Sequence, residues 1–358
     1  KKKLTKFAII QTWVSDSNFK ENEFKDSIYG DLSNYLKEHE KKIITWPIFY
    51  RVKNEKKAIT FLRKNNCDFL VIEDYLKISD YLEVIRHFFV KRFLNLGVIK
   101  IDGNDFTPVI EFYQKKESVE LGSLFYCFAK RLKESGCENV TFIHNHENMI
   151  PEKALILGVN RYLKNSKLIG YFHTTKPKNQ LCLEYATNGE YKLAPKPDIL
   201  IFNCDKYKLF FESKYTEMIV YNGIAFKQLD LKNKNKLSEI NSDKILVLFS
   251  GTNDDVILMF DFLNKLKKEY KFIFKMHPMG KFDVNKYYKK DNYTIDDNIS
   301  LYQSISKVNR VISTYSAVAV ESALYGLEVG LVYNKNRLLL NPFDDLHIKS
   351  YQLISDHP

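Results

Sequence analysis

No apolar run of about 18 residues occurs in the 358-residue chain, so no membrane-spanning helix is expected. The basic start, Lys1 to Lys6, is followed by an apolar stretch too short and too polar for a signal peptide. The chain begins at Lys1 rather than Met, so its ends carry no information about natural termini. Cysteine is scarce. Cys67, Cys127, Cys137, Cys182 and Cys204 are odd in number and contain no CxxC pair, which fits a reducing compartment and neither a disulfide framework nor a zinc site. Three phosphate or acyl-transfer signatures are also missing. Without GxGxxG after the first strand, GxxxxGK[ST] or GxSxG, the chain is expected to be neither a dinucleotide oxidoreductase, nor a P-loop enzyme, nor a serine hydrolase of the elbow type. The acidic pairs Asp254-Asp255, Asp296-Asp297 and Asp344-Asp345 are adjacent and do not form a DxD metal motif. No repeat of solenoid length is present.

What remains is an ordinary globular balance, 45% hydrophobic and 28% charged, at a length that suits two domains. Lys plus Arg is 55 against 44 Asp plus Glu, a net charge of +11. A basic chain suits acidic small molecules, polyanions or an anionic membrane surface. Lys far outnumbers Arg and is scattered, which is first of all a solvated surface. No nucleic-acid partner is expected, because the Lys clusters lack interleaved aromatic platforms.

Strand and helix signals alternate along the N-terminal half. Strands are expected at Phe7 to Trp13, Ile43 to Phe49, Phe69 to Ile72, Val140 to His144, Leu168 to Phe172 and Ile199 to Phe202. Helical spacing marks Phe24 to Leu36, Ala58 to Arg63, Leu121 to Leu132 and Glu152 to Leu163. Residues 227–243 are polar and without a period, and read as a linker between a domain at 1–226 and another at 244–345, with 346–358 as a tail. The second domain repeats the alternation, with strands at Lys244 to Phe249, Phe272 to Met276, Val308 to Ser313 and Gly330 to Tyr333 and helices at Val256 to Leu266, Ser300 to Ser306 and Ser316 to Tyr325. The expected fold class is α/β, two Rossmann-like domains with parallel sheets facing across a cleft, and ligands at the carboxyl ends of the strands.

Three polar loops follow strands of the second domain: Ser250-Gly251-Thr252, His277-Pro278 and Ser313-Thr314-Tyr315-Ser316. The last opens a helix, whose first N–H groups and partial positive charge favour an anion. Ser316 taken alone is an everyday N-cap, and His277-Pro278 alone is an ordinary strand end. Together the loops suit a phosphate and a ribose. In the first domain Glu147 follows a strand at the sheet edge. It is placed either as a general base for a sugar hydroxyl or as a cap of the helix near Pro151. His144 and His146 form an HxH pair on one face of that strand, but no third ligand follows at metal-site spacing, and no metal is expected. His146 is an acceptor-binding or acid/base candidate beside its structural reading. His173 ends the next strand and is expected near Glu147.

The segment Phe272-Ile-Phe-Lys-Met-His277-Pro278, continued by Val311-Ile-Ser313-Thr-Tyr-Ser316 and Glu321, resembles the nucleotide-binding half of GT-B glycosyltransferases. It looks most like bacterial sialyl-, polysialyl- and Kdo transferases that use CMP-sugars. CDP-polyol transferases share a similar pattern. The resemblance implies that His277 meets the phosphate or ribose, that Ser313, Thr314 and Ser316 take the phosphate, and that Glu321 lies near the nucleotide. In the N-terminal half Gly30-Asp-Leu-Ser-Asn-Tyr-Leu36, His146-Glu147-Asn148, Pro151-Glu-Lys-Ala-Leu155, Gly170-Tyr-Phe-His173 and Pro197-Asp198-Ile-Leu-Ile resemble bacterial surface-carbohydrate biosynthesis proteins. That group usually carries an aromatic where His146 stands, and Gly where this chain has Asn203-Cys204. The combined expectation is a metal-independent transferase of a CMP-linked acidic sugar. It would need no cofactor beyond the nucleotide-sugar donor and would act on a glycan or lipid-linked glycan acceptor. The expected location is cytoplasmic, with peripheral contact with the membrane's inner face. A CDP-polyol or NDP-hexose transferase, or a non-catalytic binding module, are the other readings.

Overall fold

A computed structural model describes residues 7–20, 23–39, 42–50, 52–64, 68–93, 97–101, 103–116, 120–185, 187–223, 242–277, 280, 282–296, 301–338, 340–344, 346 and 348–355. Most of the expected linker, and Pro278, lie outside the described residues.

Short apolar runs become twelve main strands among the described residues: β1 Phe7–Val14, β2 Ile43–Phe49, β3 Val140–Asn145, β4 Lys167–Phe172, β5 Ile199–Phe202, β6 Ile219–Asn222, β7 Lys244–Leu248, β8 Lys271–Lys275, β9 Tyr293–Ile295, β10 Arg310–Ser313, β11 Glu328–Asn334 and β12 Tyr351–Ser355. The first six form one sheet in the order β6-β5-β4-β3-β1-β2, and the others form a second in the order β9-β8-β7-β10-β11-β12. Every pairing in both sheets is parallel. The expected α/β class with two parallel sheets is therefore what the chain forms.

Parallel strands need crossovers, and helices supply them. These are α1 Leu32–Glu38, α2 Glu55–Lys64, α3 Ile78–Phe93, α4 Thr107–Lys116, α5 Glu120–Glu134, α6 Ile150–Tyr162, α7 Asn188–Leu193, α8 Asp205–Lys214, α9 Asn253–Lys265, α10 Val284–Tyr287, α11 Leu301–Ile305 and α12 Ala317–Leu324. The two-residue period of a strand divides the apolar side chains between opposite faces. Along β7, Ile245 and Val247 join a core with Met259, Phe260, Phe272 and Phe274, while Leu246 and Leu248 join another with Ile273, Val311 and Ala319. In the first sheet, Ile9, Trp46, Val140 and Phe142 pack with Phe125 and Phe128 of α5 and Leu155 and Val159 of α6. These two helices approach closely at Gly158, where a Cβ would meet Ala129 Cβ and the Tyr126 carbonyl oxygen at 2.9 Å.

Three expectations need correction. The helix read from Phe24 starts only at Leu32. Before it, the Asp26 carboxylate accepts the N–H groups of Ile28 and Tyr29, closing a turn that competes with helix. Phe69 makes only an isolated bridge to Thr45, and Ile72–Asp74 is a 3-10 turn rather than the end of a strand. The segment read as a tail contains β12, whose backbone pairs with β11 from Gly330↔Tyr351 to Asn334↔Ser355.

The chain divides into two compact units. One comprises Lys1–Phe172, Cys182–Phe202 and Phe211–Gly223; the other comprises His173–Leu181, Asn203–Phe210 and Ile224–Pro358. Among the described residues no helix is long and apolar enough to cross a membrane.

Candidate functional sites at two sheet edges

Each sheet has a point where the strand order reverses, and in such folds ligands sit outside the carboxyl ends of the strands at that point. In the second sheet the order is that of the dinucleotide-binding α/β folds, and the reversal lies between β7 and β10. The residues that follow these strands are Ser250-Gly251-Thr252 and, beyond Ser313, Thr314-Tyr315-Ser316. The Ser313 hydroxyl donates to the Leu248 carbonyl oxygen at 3.4 Å across the gap. A Cβ on Gly280 would lie 3.4 Å from the Ser250 carbonyl oxygen, so the loop that carries His277 adjoins the first loop. His277 is half-buried.

The hydroxyls at this edge are not equivalent. Ser250 and Thr252 donate to Asp255 Oδ2 at 2.9 and 2.8 Å, so their protons are already committed, and the adjacent carboxylate opposes an anion there. The first turn of α12 carries no acidic residue. Its N-cap Ser316 accepts the Val318 N–H at 3.3 Å, which leaves the hydroxyl proton free to donate. Thr314 is 2% exposed, and its hydroxyl has no hydrogen-bond partner among the described residues. The sequence-predicted phosphate residues Ser313, Thr314 and Ser316 are thus together at a helix N-terminus. Glu321 lies within α12 and is buried.

In the first sheet the reversal lies between β1 and β3. Its edge is buried and polar: Gln11, Thr12, His144, Asn145 and His146 are each 3% exposed or less. By the strand period, His144 continues the row of Val140 and Phe142 on the face covered by α5 and α6. Its Nδ1 donates to the Asn145 carbonyl oxygen at 2.7 Å, which leaves Nε2 as a lone-pair acceptor. His146 follows the strand, with its N–H bonded to the Tyr171 carbonyl oxygen at 2.9 Å. Gly170, opposite His144 in register, makes room for it: a Cβ there would meet His146 Cβ at 3.0 Å and Leu200 Cδ2 at 2.9 Å. Burial pushes the His144 imidazolium down to about 4. Burial, then His144 and Lys153, push His146 down to about 3, so both rings are neutral near pH 7.

Glu147 is half-buried, and burial raises its carboxyl above the usual range. The capping role left open for it belongs to Glu152. The Glu152 carboxylate accepts the Glu147 N–H at 3.1 and 2.9 Å and the Met149 N–H at 3.3 Å. A carboxylate at the third helical position reaches back to the cap in this way. Burial pushes Glu152 up to about 8, against the lowering effect of those N–H donors. The loop between them turns at Asn148, a non-glycine residue in the left-handed region at φ 59°, whose Nδ2 donates to the Cys182 carbonyl oxygen at 2.7 Å. Tyr29 is 2% exposed and lies close enough for the Glu152 charge to raise its phenol, after the larger effect of burial.

His173 follows β4, is half-buried and falls in the second of the compact units, whereas Glu147 falls in the first. Nothing in the sequence marks Tyr29, Gln11 or Thr12 as part of this edge, whereas Glu152 carries one signal, standing one residue after a proline at a helix start.

No protein-family model matches the chain, and no curated protein matches it. Solved structures do resemble it. The α,α-trehalose 6-phosphate synthase of Burkholderia multivorans shares 9% identity over 95% of this chain and 86% of its own, at a TM-score of 0.49. The glycosyltransferase SnogD of Streptomyces nogalater shares 10% identity over 97% and 87%, at 0.46. The UDP-GlcNAc 2-epimerase of Neisseria meningitidis, bound to UDP-GlcNAc, shares 10% over 92% and 82%, at 0.43. Nothing about this chain's chemistry follows from them.

Proposed function

We propose that the chain is a metal-independent glycosyltransferase of the GT-B kind, serving bacterial surface-glycan assembly and transferring a CMP-activated acidic sugar such as Kdo, sialic acid or another nonulosonate. One observation carries the reading. At the strand-order reversal of the second sheet, a helix N-terminus free of acidic residues in its first turn stands beside a buried Thr314 hydroxyl that lacks a hydrogen-bond partner among the described residues. That is a setting for a donor phosphate, with charge stabilised by N–H groups in place of a cation. Ser316 and Thr314 are the phosphate donors, Ser313 positions their loop, and His277 on the adjoining loop serves the ribose or phosphate. The acceptor falls to the first sheet, where Glu147 is the carboxylate placed at a strand end to receive a hydroxyl proton. The net charge of +11 suits an acidic donor and an acceptor at an anionic membrane.

The test is thermal unfolding with CMP, CDP, UDP and GDP, followed by transfer assays with the stabilising nucleotide's sugars. A ligand at 100 times its dissociation constant adds about 2.7 kcal/mol. Preference for CMP supports the reading. Preference for CDP or UDP replaces it with a CDP-polyol or NDP-hexose transferase. Binding without turnover makes the chain a nucleotide-binding module.

A further inference from the structure

We propose that His144, His146 and Glu152 bind a first-row divalent cation, with zinc the best match to the ligand set, at the carboxyl end of β3. One ligand atom from each residue lies within 4.8 Å of the others, and all three side chains are buried. Two imidazoles and one glutamate are a recurrent set for a zinc ion that keeps a further position for water or substrate, and such an ion would displace the proton that burial keeps on Glu152 near pH 7. A bond length of about 2.1 Å places ligand atoms roughly 3.4 Å apart, so closure asks for side-chain shifts of about an ångström. His146 Nδ1 and Glu152 Oε2 are already 3.9 Å apart.

The free ring atoms point to a ligand. Among the described residues, His144 Nε2 and His146 Nδ1 are buried without a hydrogen-bond partner. An unsatisfied buried polar atom is destabilising, and two from neighbouring rings are not a neutral packing choice. The outer contacts are those of a metal site as well. His144 donates its other ring N–H to the Asn145 carbonyl oxygen, which fixes the tautomer that offers Nε2. The N–H groups of Glu147 and Met149 hold the Glu152 carboxylate in place. Lys153 is the ionisable neighbour of His146, and Glu147 that of Glu152. The phenol of Tyr29 and the side-chain amide of Asn145, both buried and unpartnered among the described residues, are polar groups for water around an ion. In this position the cation would tie the end of β3 to the start of α6 and hold the intervening Glu147. It is separate from the donor phosphate, whose charge needs no cation in the proposed transferase, and it does not depend on that reading.

Tag-free protein, stripped with chelator and dialysed against equimolar zinc or cobalt chloride, tests this by metal analysis. The expected result is about one equivalent per chain, a higher melting temperature with zinc, and the visible bands of a low-coordinate nitrogen/oxygen cobalt site. His146→Ala and Glu152→Gln should each abolish retention. If a variant fails to fold, histidine NMR shifts of the wild type with and without zinc decide, and two histidines should move. Less than about a tenth of an equivalent in the wild type, or retention undiminished in folded His146→Ala, would overturn the proposal.

Discussion

The two strand-order reversals are the same topological place built from opposite materials. In the first sheet the edge is dry: imidazoles, an amide and a carboxylate, with ring nitrogens that meet no protein partner among the described residues. In the second it is largely hydroxyl, half open to solvent, with Ser250 and Thr252 already turned to Asp255 and a helix N-terminus beside them. The fold supplies a location, and the local side chains choose the charge it takes. A helix start without acidic neighbours takes an anion. Neutral rings with buried, unpartnered lone pairs beside a glutamate take a cation or a proton. The proposed division of labour, donor at one edge and acceptor at the other, predicts that the two respond independently.

The sharpest test is Glu147→Gln. Removal of a general base typically costs about 10²–10⁴-fold in rate, and nucleotide affinity should stay within about twofold. Single-turnover transfer beside calorimetric CMP binding reads both quantities. Transfer within about threefold of wild type rejects the role of Glu147, and a parallel fall in CMP affinity breaks the division itself.

A stability control comes from a buried charge that is fully partnered. Arg131 donates to Asp80 from Nε at 2.8 Å, and both side chains are buried. Arg131→Ala leaves Asp80 stranded and should cost about 3–5 kcal/mol in denaturant unfolding. Burial raises the Asp80 carboxyl, but Arg131 and the Lys77 N–H outweigh it and hold it below the usual range. A depressed carboxyl stabilises fully above its unfolded value of about 3.9 and loses that contribution as pH falls through the folded value. Acid titration below about pH 4 should therefore weaken the wild type more steeply than Asp80→Asn. Equal slopes would show that the pair contributes nothing to acid sensitivity.

Smaller effects probe each edge. Gly170→Ala presses on His146 and Leu200 and should cost about 1–3 kcal/mol, the usual range for overpacking. An unchanged melting temperature would mean that the first edge is looser than its distances indicate. Ser316→Ala removes the cap of α12 and should cost about 1 kcal/mol of stability while weakening CMP binding. Unchanged CMP affinity in that variant would sink the phosphate assignment.

Much of this architecture was legible in the chain. Runs such as Lys244 to Phe249 and Leu168 to Phe172 are short, apolar and bounded by turn residues, which leaves little choice but a buried parallel strand. The Ser/Thr loops after β7 and β10 were legible because hydroxyls at strand ends keep their meaning wherever the strand lies. Strand order was not, since it depends on which way each crossover returns. Residues 73–119 yielded no assignment, yet α3 and α4 lie there. In α3, Ile78, Leu82, Ile85 and Phe89 are exposed while Val84 is buried, so apolar spacing does not mark the packed face. Glu152 was missed for a related reason. Its place after Pro151 signals a helix start, but its hold on the Glu147 N–H depends on where the chain turns at Asn148, a backbone choice that the proline does not announce. The edge strands β6, β9 and β12 carry exposed residues and short runs, and their identity comes from neighbours rather than from their own sequence.

The interleaved make-up of the second unit sets a schedule for synthesis. His173–Leu181 and Asn203–Phe210 leave the ribosome early, but they belong with residues that follow position 224. The Lys178 N–H must wait for Asp344, which accepts it at 3.0 Å. At translation speeds of about 5–20 residues per second, that bond forms roughly eight seconds at the earliest after its donor has been made, and half a minute later at the slow end. Over that interval the first sheet can complete while two of its connecting segments, able to bond to one another through Lys176 and Tyr207 and through Thr174 and Asn203, still wait for the rest of their unit. A nascent chain paused near residue 223 would offer them to proteases and chaperones, and a cut at either segment would leave the first sheet's strands intact while depriving the second unit of parts it cannot replace.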